Sequence, residues 1–206
     1  MFDLKKDKKA FLIGTILGDS SFAGKSNKHI LFGHSESQKR YGEWKLRLLA
    51  NAYGVATNQC LAKGLTAYDR KPFYRFWTHS HHKFTSLYKK IIIDGEKRIN
   101  DYVLKNFNKI SLAFLFMDDG CAETHKGKLK TFKLCVCSYP LEDVVKLSEL
   151  LKNKFNIDNK VYLDRKKYPI IKITLNSEKE KFYFLIKDYI HPDLKYKIDN
   201  IRSIYI

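Results

Sequence analysis

The sequence predicts an α+β fold made of two similar units, each ordered helix, two strands, helix, two strands, helix. Three observations lead there. The first is an internal repeat: Leu12 to Ser20 reads LIGTILGDS and Leu112 to Gly120 reads LAFLFMDDG, so two apolar segments each end in an aspartate, Asp19 and Asp119. Leu48 to Val55 (LLANAYGV) likewise parallels Leu150 to Ile157 (LLKNKFNI), and Pro72 to Phe76 parallels Pro169 to Ile173. Ordered similarities of this kind mark a duplication, with residues 1–100 as the first copy and 101–206 as the second. The second observation is a hydrophobic period that switches between helix and strand at matching places in both copies. The third is composition. With 44% hydrophobic and 14% aromatic residues in 206, the chain can bury a core. No Pro/Gly/Ser linker divides it, so the two units should share an interface.

Each element has its own warrant. Phe11 to Leu17 is apolar nearly all round, which predicts a fully buried helix. A hairpin-like stretch follows near 21–36. Ser35 with Gln38 reads as the opening of a helix bearing Tyr41, Trp44, Leu48 and Ala52. Residues 73–78 read as a strand, and Phe84, Leu87, Tyr88 and Ile91 as a helical face. The second copy repeats the order, with a hairpin near 121–138. A helix then enters at Ser138 and Pro140 with Leu141, Val144, Val145, Leu151 and Phe155 on one face. Ile171, Ile173 and Leu175 alternate with Lys172, Thr174 and Asn176, the pattern of a sheet with one face exposed. Ser177 with Glu180 then reads as a capping box for a helix with Phe182, Leu185, Ile186 and Tyr189.

Charge narrows the partner. Lys and Arg number 39 against 22 Asp and Glu, a net charge of +17. An excess of this size suits a polyanion, because basic side chains displace counterions from phosphate backbones. The longest uncharged apolar stretch, Ala10 to Gly18, is too short to span a bilayer, so no membrane partner is expected. Lys5, Lys6, Lys8 and Lys9 precede it like the start of a signal peptide, but no small-residue cleavage site follows, and the segment is read as mature protein. Cys60, Cys121, Cys135 and Cys137 lack zinc-site spacing and read as reduced thiols of an intracellular protein. His79, His81 and His82 read as loop or helix-start residues. Lys126, Lys128 and Lys130 read as an alternating strand face, as do Lys160, Tyr162, Asp164 and Lys166.

Gly14 and Gly18 each cost a helix about 1 kcal/mol relative to Ala. Being four apart, they share a face on which another backbone can approach, and the natural partner is the equivalent helix ending at Asp119. Side by side, the two helices would bring Asp19 and Asp119 together at their carbonyl ends. There, the carboxylates oppose the helix dipoles and repel each other. A divalent cation would relieve both penalties, and oxygen ligands with free positions suit Mg2+ and metal-assisted phosphodiester hydrolysis.

These residues resemble the LAGLIDADG homing endonucleases, in the form that carries both motifs on one chain and acts as a monomer. Leu12 and Leu112 open the motifs, and Asp19 and Asp119 fall where the family places its metal-binding acid. Gly18 and Asp118 stand beside them in the implied metal pocket, with Asp118 one position too early to be the catalytic acid. Ser20, Phe114 and Asp118 depart from the motif, leaving close packing to Gly14 and Gly18. Lys97 and Lys197 follow the two acids at equal separations. The resemblance makes them the basic residues near the cleaved phosphate, with Lys195 and Arg98 as alternatives.

The resemblance implies an enzyme that binds double-stranded DNA along the exposed face of both sheets. Arg75, Lys128, Lys130, Lys133, Lys172, Thr174 and Asn176 are candidate base readers or phosphate contacts. It also implies a long, non-palindromic target, a Mg2+-dependent double-strand break with 3′ overhangs (Mn2+ substituting), and mobility of an encoding intron. The alternative is a maturase that binds its own intron RNA on the same scaffold. Abundant Lys, Ile, Asn and Phe fit an AT-rich genome, that of an organelle, a bacterium or a phage.

Overall fold

The computed structural model describes residues 3–62, 73–199 and 201; Pro72, part of the repeat, lies outside them. Helix α1 (Leu4–Leu17) starts at Asp3, whose carboxylate accepts the Lys5 N–H. It is followed by β1 (Ser21–Ala23), β2 (His29–Ser35), α2 (Lys39–Tyr53), β3 (Thr57–Ala62), β4 (Phe73–Thr78) and α3 (His82–Ile91). A short hairpin, β5 (Ile92–Ile93) and β6 (Glu96–Lys97), and helix α4 (Asp101–Asn106) lead onward. The order then repeats as α5 (Lys109–Asp119), β7 (Gly120–His125), β8 (Lys128–Leu134), α6 (Leu141–Phe155), β9 (Lys160–Asp164), β10 (Tyr168–Ile173) and α7 (Asn176–Ile186).

Each copy forms a four-stranded antiparallel sheet, ordered β1-β2-β4-β3 in the first and β7-β8-β10-β9 in the second. The helices cover one face of each sheet. Ile30, Phe32 and Phe76 bury against the first set of helices, and Phe132, Ile171 and Ile173 against the second. The repeat extends to the caps, since α2 ends on left-handed Gly54 and α6 on left-handed Asn156.

The two apolar helices lie at the centre and run side by side in the same direction. Every residue of α5 from Ile110 to Met117 is buried. The Ser111 hydroxyl donates to the Ala10 carbonyl at 2.8 Å. A methyl group on Gly14 would stand 2.7 Å from Ser111 Cα, and one on Gly18 would stand 2.5 Å from Asp118 Cβ. The glycines therefore set how closely the backbones approach, as their spacing predicts. Phe114, at a small-residue position of the second motif, packs edge-on to Phe11 at 4.6 Å and stacks on Trp44 at 5.4 Å.

Several expectations need correction. Strand β10 ends at Ile173, so Thr174 and Asn176 are not on the sheet face: Thr174 follows the strand and Asn176 opens α7. Leu175 precedes that helix, exposed, and no Ser177–Glu180 capping box forms. On α6 the buried face is Val144, Leu147 and Leu151, while Leu141 and Val145 are exposed. Ser35 leads into a 3-10 turn, and α2 starts only at Lys39. Lys126 and Lys166 have left-handed φ of 49° and 59° and belong to hairpin turns rather than strand faces.

Ala at Gly14 would gain about 1 kcal/mol of helix propensity. We expect Gly14→Ala instead to lower stability, with a net loss of about 1–3 kcal/mol because overpacking dominates. Urea unfolding would measure it, and a gain in midpoint would show that the backbones can part without cost.

Candidate active site

The carbonyl ends of α1 and α5 form the site. Asp19 follows α1 directly after Gly18, and Asp119 is the last residue of α5. The Asp19 side chain is open to solvent on one side, with 37% of its surface exposed. Burial raises the pKa of Asp19, and the nearby Asp118 charge adds to the effect. Asp119 is pushed up to about 7, first by burial and then by the charges of Asp19 and Asp118. Asp119 thus lies close enough to Asp19 and Asp118 to respond to their charges.

Lysines meet the carbonyls left without intrahelical partners at these ends. The Asp94–Gly95 turn of the β5–β6 hairpin, with φ of 52° and 82°, returns the chain so that Lys97 reaches under α1. Its ammonium donates to the carbonyls of Ile16 (2.9 Å), Ser20 (3.1 Å) and Gly18 (3.3 Å). Lys197, at the end of the 3-10 segment Pro192–Lys197, donates to Met117 at 2.6 Å and Asp118 at 3.4 Å. Each lysine therefore caps its own motif helix, where a cation is favoured. Burial lowers both lysine pKa values, while the three aspartates oppose that shift. The equal spacing read from sequence thus reflects equivalent placement.

Arg98, the alternative to Lys97, is elsewhere. Its guanidinium pairs with Asp143 at 2.8 and 3.1 Å and with Glu142, and Asp143 also accepts the Ile99 N–H. Lys195 is exposed.

The Asp118 side chain is fully buried. Lys45 Nζ donates to its two oxygens at 2.9 and 3.1 Å, the Tyr41 hydroxyl donates at 2.7 Å, and the Asp19 N–H donates at 3.2 Å. Asp118, His34 and Asp19 have side-chain donor atoms within 4.8 Å of one another. Asp118 nevertheless has both oxygens engaged, and the Gly18 carbonyl is occupied by Lys97. Asp19 and Asp119 remain the candidate carboxylates for a cation. His34 Nδ1 lies 3.7 Å from Asp19 Oδ2. Burial, reinforced by the Lys45 charge, lowers the pKa of His34 to about 3, so its ring is neutral.

Sequence reasoning passed over Lys45 and His34. The available signal was the helical spacing of Tyr41, Lys45 and Leu49, which puts a lysine in the core-facing stripe of α2.

The exposed sheet faces flank these acids. Arg75 on β4 is exposed and shares a cavity of about 180 Å³ with Asp19, Ser21, Gly33 and Phe73. In the second sheet, Lys160 pairs across to Lys172 and Lys172 to Lys133, a row of like charges. Glu123 offsets part of it through an ion pair to Lys133 at 2.7 Å, and Lys172 lies 4.7 Å from the centroid of the Tyr162 ring. Lys128 and Lys130 are exposed on β8. Like charges directly opposite one another destabilise a sheet, so the row favours a bound polyanion.

Comparison with known proteins agrees with this arrangement. Residues 9–182 match the LAGLIDADG DNA endonuclease family. A probable intron-encoded endonuclease 1 of Wickerhamomyces canadensis is 32% identical, covering 95% of this chain and 85% of its own. The cytochrome b mRNA maturase bI2 of Debaryomyces hansenii is 27% identical, covering 96% and 75%. Among solved structures, the homing endonuclease I-WcaI bound to its DNA recognition sequence aligns with a TM-score of 0.84 at 29% identity, covering 96% and 88%. A variant of I-DmoI, in complex with its target DNA in the presence of Mn, shares the fold at 17% identity and a TM-score of 0.58. No described helix is long and apolar enough to cross a membrane. With its two motif helices meeting at their acidic ends and a match across most of its length, the chain belongs to the LAGLIDADG DNA endonuclease family.

Proposed function

We propose that this endonuclease cuts both strands of a long, non-palindromic DNA site, leaving 3′ overhangs, with Mg2+ held between Asp19 and Asp119. The observation that carries this reading is the meeting of two carboxylates at lysine-capped helix ends, between two exposed sheet faces. Free oxygen donors suit a hard cation, and Mn2+ would substitute. When bound, the cation supplies Lewis-acid activation of the phosphate and of an attacking water.

The protein's own residues do the remaining work. Asp19 and Asp119 would hold the cation, each serving one strand of the duplex. Lys97 and Lys197 hold the helix ends closed and supply positive charge where the leaving oxygen develops negative charge. The duplex is held by the sheets. Arg75 beside Asp19, and Lys128, Lys130, Lys133 and Lys172 in the second sheet, are the base and phosphate contacts. Thr174 and Asn176 act from the strand end rather than the sheet face.

The two units, meeting near residue 100, present unlike residues, which supports a non-palindromic target. Both are on one chain, so a monomer contains the complete site. The names of the yeast relatives, an intron-encoded endonuclease and a cytochrome b maturase, support intron mobility and an organellar setting. A second reading, binding of the encoding intron's RNA, is favoured by the maturase relative and tested by splicing of that RNA with purified protein.

Three outcomes are expected. A cleavage site recovered from a randomised DNA library with Mg2+ should be cut about a thousandfold more slowly by Asp19→Asn or Asp119→Asn. Cutting at the parental rate by either variant would end the reading.

The second outcome follows from linkage. A carboxyl whose folded pKa lies near 7, above its ordinary value of 3.8, favours folding when protonated, and that advantage is lost as pH rises from about 4 through 7. Without metal, Asp119→Asn should match the parent near pH 4 and exceed its stability by about 1–2 kcal/mol at pH 8, the shift being discounted for solvent screening. Thermal unfolding in chelator reads this difference, and Mg2+ affinity should rise with pH over the same interval. A constant difference at all pH values would contradict it.

Third, Lys160→Ala and Lys172→Ala should each reduce the salt slope of DNA binding by about 0.9, measured by fluorescence anisotropy in Ca2+. An unchanged slope would remove this row from the interface.

A further inference from the structure

Asp118 and Lys45 are a charged pair enclosed at the junction of the two units, and both side chains are fully buried. Lys45 reaches Asp118 from α2, lying 4.4 Å from the centroid of the Phe32 ring and 5.1 Å from that of Tyr41. Asp118 fits there because Gly18, opposite, has no side chain. The contact that reaches the catalytic end is the Asp19 N–H, which donates to Asp118 Oδ2 at 3.2 Å.

Among the described residues, the arrangement has no equivalent at the matching positions around Asp119. Counting back from the cap residues Gly54 and Asn156, Lys45 corresponds to Leu147 and Tyr41 to Asp143. Leu147 has no polar atom, and Asp143 is committed to Arg98 and the Ile99 N–H. Asp118 itself corresponds to Gly18. His34 has a similar history: the pairs Ser21–Leu31 and Cys121–Lys133 make buried Val136 its counterpart. The matching positions therefore carry a Lys–Asp–Tyr network on the Asp19 side and none on the Asp119 side, although the helices that carry the two acids are equivalent.

We propose that Lys45, Asp118 and Tyr41 form a one-sided positioning device for Asp19, making the two cleavage centres unequal. Tyr41 and Lys45 fix the Asp118 carboxylate, and that carboxylate holds the backbone of Asp19 as the chain leaves α1. Lys45 and Asp118 are positioning residues: they act through Asp19. A buried ion pair of this kind adds little net stability compared with apolar residues of the same volume, so stability alone gives no reason for it. The proposal rests on the reading of Asp19 and Asp119 as the cation-holding acids, each serving one strand.

The test uses double variants of the full chain, so that no buried charge is left unpaired. Lys45→Met/Asp118→Ala removes the acceptor for the Asp19 N–H, and Lys45→Met/Asp118→Asn keeps one. On end-labelled DNA carrying the selected site, the Ala double variant should cut the Asp19-side strand about tenfold more slowly relative to the other, as for loss of an outer-shell partner. That strand is identified as the one made slower by Asp19→Asn, and nicked DNA should accumulate. The Asn double variant should return towards the parental strand ratio. Titration of DNA-free protein with Mn2+, followed by electron paramagnetic resonance, should show affinity weakened about tenfold in the Ala form and recovered in the Asn form. A folded Ala double variant that keeps the parental strand ratio and Mn2+ affinity, or slows both strands equally, would show the pair to be merely structural. If Asp19→Asn itself cuts at the parental rate, the reading of Asp19 falls and the proposal with it. If Asp19→Asn is inactive while the Ala double variant keeps the parental ratio, the proposal alone falls.

Discussion

The approach of α1 to α5 is the constraint on which the rest of the molecule depends. Helices whose interface is lined by larger side chains keep their axes about 8–10 Å apart. At Gly14 and Gly18 the facing atoms of Ser111 and Asp118 occupy the space a methyl group would need. Two carbonyl ends are thereby brought side by side, and the residue that follows or closes each helix is an aspartate. The same approach carries the sheets, since β1 begins just beyond Asp19 and β7 immediately after Asp119. The separation of the acids and the separation of the two exposed sheet faces are thus set by one contact.

The contact is electrostatically expensive, and the way its cost is met explains most of the polar groups in the interior. Three carboxylates gather where two helix dipoles present their negative ends. Lys97 and Lys197 place ammonium groups on the terminal carbonyls, and Lys45 neutralises Asp118 within the core. Loss of one partner from such a buried pair costs about 3–5 kcal/mol, chiefly from the charge left behind. Asp19 and Asp119 nevertheless keep raised pKa values, chiefly because burial disfavours their charge, with Asp118 adding to both shifts and Asp19 to that of Asp119. A divalent cation held by these two acids, as proposed above, would offset that penalty.

Much of this was legible in the sequence because duplication tests a pattern against itself. One apolar segment ending in aspartate says little. Two in register specify the helix pair, whereas the lysines at equal separations, which the sequence offers as neighbours of the cleaved phosphate, lie on the carbonyl ends of those helices. The strand order followed for the same reason. Legibility stopped where the chain departs from the repeat or where tertiary contacts override local pattern. The alternation Ile171, Ile173, Leu175 reads as one strand, yet the backbone turns after Ile173 and exposes Leu175. Among the described residues the β5–β6 hairpin and α4 have no counterpart in the second copy, so no internal comparison announced them. Lys45 was hidden by its charge, because a lysine among core residues is read as a surface residue unless its acidic partner is already known to be buried opposite it.

Departures from the repeat also show what joining two units in one chain allows. In a symmetric dimer, an aspartate at the position of Asp118 would face its own copy across the axis, and two buried carboxylates would collide. Here, the facing residue is Gly18, which removes the clash and leaves a single acid to be neutralised by a single lysine. The same freedom separates the sheets: Asn58 pairs with Trp77 in the first, whereas Lys160, Lys172 and Lys133 form a row in the second. One face therefore combines aromatic and amide groups, and the other concentrates charge suited to phosphate. Asymmetry in the interior at Asp118 and asymmetry on the surface at the lysine row have the same origin, since neither is open to a chain that must pair with an identical copy of itself.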